Sequence, residues 1–320
     1  MNAAVERLGA RADERPGRAC PVPYRYAPRS LARDPELVSD TLYVAGGLYG
    51  NVEALEALLA MVAAEPGATL AFNGDFHWFD VAPGDFERVG REVLAHAAIR
   101  GNVETEIAGE DSGAGCGCAY PADVGDAEVA RSNTILERLR ETARGFAQLR
   151  ERHGALPMNL VAAVGPVRVG IVHGDASSLA GWGFAHDALD NPRHARWLES
   201  AFTDARVDVF ASSHTCLPAC RAFEFGAVIN NGAAGMPNFA DTGFGIVTRI
   251  STRPPPVEAL YGVRVRGAFV DALALRFDER RWTERFLAEW PEGSPAHTSY
   301  FRRIANGPRF TLAQAAPRTA

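Results

Sequence analysis

Apolar and polar positions change period several times along this chain, and the changes divide it into short strands and amphipathic helices. Thr41-Leu-Tyr-Val-Ala-Gly-Gly is an apolar, β-prone run ended by glycine, and it predicts a buried strand. Asn51 then stands as an N-cap before Val52, Leu55, Leu58, Leu59 and Val62, which have helical spacing, and Pro66-Gly67 closes that helix. The unit repeats. Thr69–Asn73 reads as a strand, Gly74-Asp75 as its turn, Asp85–His96 as a helix and Ala97–Arg100 as a third strand. This alternation requires parallel pairing through right-handed crossovers. In such sheets functional groups sit beyond the carboxyl ends of the strands.

Residues 103–126 lose the periodicity, contain Cys116 and Cys118, and predict a long irregular loop, a type that is often functional. Ala127–Arg152 predicts one long amphipathic helix with Val129, Ile135, Leu136, Leu139, Phe146 and Leu149 on its inner side. Val161–Val164 and Val167–Val172, joined by Gly165-Pro166, predict a hairpin that runs into His173-Gly174-Asp175. A helix over Asn191–Asp204 and a strand over Val207–Ser213 lead to His214. Further strands are expected at Arg221–Phe225, Val228–Asn230, Phe244–Ile250, Tyr261–Arg266 and Phe269–Phe277, then a closing helix at Glu279–Trp290. An α/β fold of two facing sheets flanked by helices, a four-layer α/β/β/α sandwich, fits this order better than one doubly wound sheet. Residues 1–39 are expected as a loosely ordered arm, 40–305 as a single domain and 306–320 as a flexible tail.

The chain's 320 residues are 47% hydrophobic and 22% charged, which is globular. A net charge of -6 without a basic run excludes strong nonspecific nucleic-acid binding. A small phosphorylated substrate remains compatible, because one metal ion and an arginine or two hold it locally. No run approaches ~18 consecutive apolar residues, so no membrane helix is expected. Met1–Arg7 lacks the apolar core of a signal peptide, and the expected location is cytoplasmic. Five cysteines, an odd number, argue against a disulfide framework. Cys116-Gly-Cys118 is too tight for a zinc knuckle, and Cys216-x-x-x-Cys220 has no second ligand pair.

The chemistry concentrates at four strand ends. Gly74-Asp75, Gly101-Asn102, His173-Gly174 and Ser213-His214 each follow a β-prone run, and each pairs a donor with a small residue. Asp, Asn and His supply the oxygen and nitrogen that borderline divalent ions accept. Each site alone reads as a turn or a hydrogen-bonded histidine; the ordered set predicts a divalent metal at one rim of a sheet. The ion's identity among Mn, Zn, Fe, Ni and Mg stays open.

The order of these motifs resembles the calcineurin-like metallophosphoesterase superfamily, in its small bacterial and archaeal phosphodiesterase branch. Its usual series is Asp-x-His, Gly-Asp, Gly-Asn-His-(Asp/Glu), His-Gly and Gly-His-(Ser/Thr)-His. Here the matches are Gly47-Leu-Tyr49-Gly-Asn51, Gly74-Asp75, Gly101-Asn102-Val103-Glu104, His173-Gly174-Asp175 and Ser213-His214-Thr215-Cys216. Ile229–Pro237 resembles the branch's Asn-Pro-Gly-Ser-Val-Gly turn. The likeness spans roughly residues 40–250. It implies the metallophosphoesterase-like sandwich and a two-metal centre. Its second-metal ligands, Asp75, Asn102, His173 and His214, are all present. At the first-metal positions stand Gly47, Tyr49 and Cys216, of which Cys216 is a possible thiolate ligand. Val103 replaces the usual catalytic histidine, while Glu104 keeps the acidic position.

His77, two residues after Asp75, is expected either to face the emptied first-metal region as ligand or general acid, or to pack with Trp78 and Phe79 in a lid. Asp80 and Asp175 read as turn or supporting residues, His186 and His194 as solvated, and Trp182, Phe184 and Phe79 as core or pocket lining. The implied reaction is metal-assisted phosphate-ester hydrolysis on a small phosphorylated substrate, with Arg100 as a possible clamp. The alternative is a noncatalytic binding or scaffold module; a weaker one is a redox or metal-sensing role for the cysteines.

Overall fold

A computed structural model describes residues 15–110 and 112–318. Among the described residues, twelve strands form two six-stranded sheets. The first holds β1 (Leu37–Ser39), β5 (Asn159–Val164), β6 (Val167–Val172), β7 (Val209–Ser212), β9 (Gly226–Asn230) and β8 (Ala219–Phe223), in that spatial order. The second holds β11 (Tyr261–Val265), β12 (Ala268–Leu275), β10 (Gly245–Ser251), β2 (Thr41–Ala45), β3 (Thr69–Asn73) and β4 (Ala97–Ile99). Both sheets are mixed. β2, β3 and β4 run parallel, as do β6, β7 and β9, while the remaining pairs are antiparallel except β1 with β5.

The alternation along the strands decides the layers. Leu42 and Val44 of β2 face inward and meet Val169, Ile171, Val209 and Ile229 of the other sheet. Tyr43 and Ala45 face outward, under α1 (Val52–Ala63) and α2 (Pro83–Val93) through Leu55, Leu58, Val89 and Val93. On the far side Val161, Val172, Phe210 and Val228 pack against Leu198 and Phe202 of α7 (Ala195–Ala205). The protein is thus a two-sheet α/β sandwich with helices outside, as the pattern predicts. Burying strands on both faces explains their near-continuous apolar runs.

Several boundaries differ from expectation. The segment expected as loop opens with α3 (Asn102–Ala108), so the irregular stretch is shorter. The expected long helix is two, α4 (Asp126–Arg144) and α5 (Ala147–Ala155), broken at Gly145. A helix the pattern missed, α9 (Pro295–Asn306), follows α8 (Glu279–Glu289). Residues 15–39, expected as a loose arm, bury Tyr24 and Leu31 and pair β1 with β5; residues 1–14 of that arm lie outside the described residues. The expected flexible tail buries Phe310 and forms α10 (Leu312–Ala315), tied down by Arg221. Among the described residues no helix is long and apolar enough to cross a membrane.

Candidate metal centre

The carboxyl ends of the two parallel strand triplets meet at one rim of the sandwich, and the centre lies between them. Asp75 follows β3, Asn102 follows β4, His173 follows β6 and His214 follows β7. The site therefore takes two residues from each sheet, where the sequence pattern suggested the rim of one. Asp75 sits at φ 52, beside Gly74 at φ 94. A side chain at Gly74 would collide with the Gly101 backbone and the His173 ring, so glycine is required there.

Glu104 organises this turn. Its buried carboxylate accepts the backbone N–H of Asp75 (2.8 Å), Phe76 (3.0 Å), His77 (3.4 Å) and Gly101 (2.8 Å). Burial and the nearby Asp75 push its carboxyl up to about 7. Val103 donates its backbone N–H to Asp75 Oδ1 at 3.2 Å while its side chain joins the apolar core.

Asp75, His173 and His214 are buried, and each offers an atom within 4.8 Å of the others. His173 Nε2 lies 3.1 Å from Asn102 Oδ1, 3.3 Å from Asp75 Oδ1 and 3.1 Å from His214 Nδ1. The opposite edges of these groups are each held by a main-chain carbonyl. His173 Nδ1 donates to Asn73 O (2.8 Å), His214 Nε2 to Cys118 O (3.1 Å) and Asn102 Nδ2 to Cys116 O (2.9 Å). A carbonyl only accepts, so each such bond fixes the donor edge outward. The neutral rings then turn two nitrogen lone pairs, and Asn102 and Asp75 two oxygens, at one point with no hydrogen between them. A cation resolves that arrangement. Ligands at the usual ~2.0–2.2 Å from a small divalent ion stand about 3.3 Å apart, which matches these edges. The donor set therefore fits one divalent metal, of the nitrogen-and-oxygen-preferring kind.

The alternative occupant is a proton. Burial disfavours a charged His173, but the Asp75 carboxylate outweighs it and raises the ring above its ordinary value. Asp75 is lowered, since His173 overcomes the burial that would raise it. Burial, then His173, pushes His214 down to about 3. The Asp75 carboxylate thus favours positive charge at this point, from a proton on His173 or from a cation.

The other expected residues lie elsewhere. Cys216 does not join the ligand group. Its Sγ pairs with the Tyr49 hydroxyl at 2.8 Å, and the Tyr49 ring occupies the space a side chain at Gly47 would need, 2.9–3.0 Å from that virtual Cβ. His77 does not face the centre either. Its ring stacks on Phe86 at 4.2 Å, lies 5.0 Å from His153, and bonds Asp80 Oδ2 at 2.6 Å. Phe86 and Val89 make α2 a more apolar neighbour than the ligand rim, which draws the ring into the helix interface. Asn51 is the N-cap of α1. Arg100 bonds Gly154 O and is no clamp. Asp80 and Asp175 hold turns, as expected. His194 is buried on Trp197 and His186 half-buried against Phe310, where solvation was expected.

Sequence reasoning missed the roles of Asn73, Glu104 and Trp182. Trp182 donates to Cys118 O and packs edge-on to His214 at 5.5 Å. Glu104 had a signal, its place three residues after Gly101 at a helix start. The carbonyls of Cys116 and Cys118 had none, because every residue has one.

No family model matches the chain, and no curated protein matches it in sequence. Solved structures do match in shape. A hypothetical protein from Pyrococcus horikoshii OT3 aligns over 86% of this chain and 100% of its own, at 17% identity and TM-score 0.58. A metallophosphoesterase from Sphaerobacter thermophilus aligns over 84% of this chain and 100% of its own, at 15% identity and TM-score 0.50. The chain has the metallophosphoesterase fold.

Proposed function

We propose that this protein binds one divalent metal at Asp75, Asn102, His173 and His214 and hydrolyses phosphate esters of a small substrate in the cytoplasm. The observation that carries this reading is the convergence of four donor atoms, with His173, His214 and Asn102 each held on the outer edge by a backbone carbonyl and Asp75 held by the Val103 N–H. A divalent ion there acidifies water and offsets charge on phosphate oxygens. The chain's own part is orientation. Glu104 holds Asp75 in its turn, and the Val103 N–H steers the Asp75 carboxylate. Trp182 flanks His214.

A second reading is a noncatalytic binding module with the same fold. Tyr49 and Cys216, closed on each other beside Asp75, favour it, as does the burial of the donors. Elemental analysis together with assays on p-nitrophenyl phosphate and bis-p-nitrophenyl phosphate in Mn, Zn, Ni and Mg separates the two. About one metal per chain with turnover lost in Asp75→Asn supports the hydrolase. The same metal without turnover supports the binding module. Metal content that is nil in wild type, or unchanged in His173→Ala and His214→Ala, sinks the centre itself.

A further inference from the structure

The segment from residue 112 to 125 holds a feature that hydrolysis does not use. Cys116 and Cys118 are both buried, with one glycine between them. Cys118 Sγ lies 3.6 Å from Cys116 O and 3.6 Å from Asn102 Nδ2. Both are free thiols. Gly115 and Gly117 have φ of 64° and 67°, which fold the loop back on itself. A side chain at Gly117 would collide with the Tyr24 hydroxyl, so the spacer must be glycine. The same two cysteines supply the carbonyls that orient two of the four donors, Cys116 O on Asn102 and Cys118 O on His214.

We propose that Cys116 and Cys118 form a dithiol modification site that closes to a disulfide and thereby releases the metal. The coupling rests on the metal reading of the centre; the dithiol chemistry does not. With a low-molecular-weight disulfide such as glutathione disulfide as oxidant, the exchange balances. Cys116 and Cys118 lose two thiol hydrogens and two electrons, one S–S bond forms between them, and the oxidant's S–S bond breaks to give two thiols. A disulfide demands its own Cβ spacing and torsion. Closing the bond takes Cys118 Sγ from Cys116 O and Asn102 Nδ2, and any backbone adjustment it requires moves the carbonyls on Asn102 and His214. Asn102 and His214 then lose the partners that aim their ligand atoms, a loss that costs outer-shell sites about ten- to a hundredfold in metal affinity. By linkage, bound metal disfavours the disulfide.

The test uses the full chain with manganese or zinc as probe. Reduced protein, then protein treated with glutathione disulfide, is titrated against a chromophoric chelator and mapped by peptide mass. The expected result is a peptide carrying both cysteines lighter by about 2 Da, with Kd for the metal raised at least about tenfold and restored by dithiothreitol. Cys116→Ser with Cys118→Ser removes both thiols; whatever its own Kd for the metal, that Kd should not change on treatment with glutathione disulfide. Should that variant misfold, metal-loaded wild type serves instead, its disulfide forming more slowly than that of the metal-free protein. Failure of the peptide to lose mass, or a disulfide that leaves Kd unchanged, overturns the inference. Reduced wild type that takes up no metal overturns the metal reading and the coupling, while the peptide map still decides the dithiol.

Discussion

Glu104 shows how much one side chain carries at this rim. Two N–H groups point at each of its oxygens, so an amide in place of the carboxylate turns donors on donors. Glu104→Gln should lower unfolding free energy by about 2–3 kcal/mol in urea titrations, and weaken metal binding because Asp75 loses its turn. His173 carries a second expectation. Its ring is raised above the ordinary value by Asp75, so the metal-free centre is protonated at mildly acidic pH and the ion must displace that proton. Calorimetric titration at pH 6 in buffers of different ionisation enthalpy should report release of about one proton per metal. Affinity therefore falls as pH drops. At this scale the ligand letters were legible, because Asp, Asn and His beside glycine at strand ends admit few readings. Cys216 and His77 sit outside the ligand group for one reason. Spacing says which residues are near in sequence, while Tyr49 and Phe86 decide where those two side chains find partners.

At the scale of elements, helix contacts govern the errors and the predictions alike. The interface of α2 with α5 buries His77 and His153, both forced toward the neutral form, His77 to about 3 and His153 to about 2, by burial. A base with a folded value below its unfolded one contributes stability above about pH 6.5, and that stability is lost as pH falls. Asp80, raised by burial, shifts in the opposite sense and offsets His77, which leaves His153 as the clean contributor. The difference in stability between wild type and His153→Leu should change by about 1.4 kcal/mol per pH unit below pH 6, wild type losing more, in urea midpoints measured from pH 6 to 4.5. Arg221 settles the last element. It bonds Asp190 and the carbonyls of Gln314, Ala315 and Ala316, so the segment expected as a tail docks instead. Arg221→Met should cost about 3 kcal/mol and open residues 310–318 to limited proteolysis. The tail contacts have no sequence signal, since Arg221 and its carbonyl partners lie about ninety residues apart.

For the whole molecule, the centre stitches two sheets across their common rim, so an ion bound there stabilises the folded chain by mass action. Metal at about a hundred times its Kd should add about 2.7 kcal/mol and raise Tm, and a chelator should reverse it; a Tm unmoved by either would count against the centre. The hydrophobic pattern by itself determined the strands other than β1, most helices and the sandwich, because burial on one or both faces writes a period into the chain. It also placed a donor after each of four strands. Tertiary structure alone decided the rest. It chose which two sheets share the rim, and it aimed Asn73, Cys116 and Cys118 carbonyls at the outer edges of the ligands. It also filled the space beside Gly47 with Tyr49. The physical reason is the same throughout. Periodicity records how much of a residue is buried, whereas a metal site depends on direction, and direction comes from hydrogen bonds between residues that only the folded chain brings together.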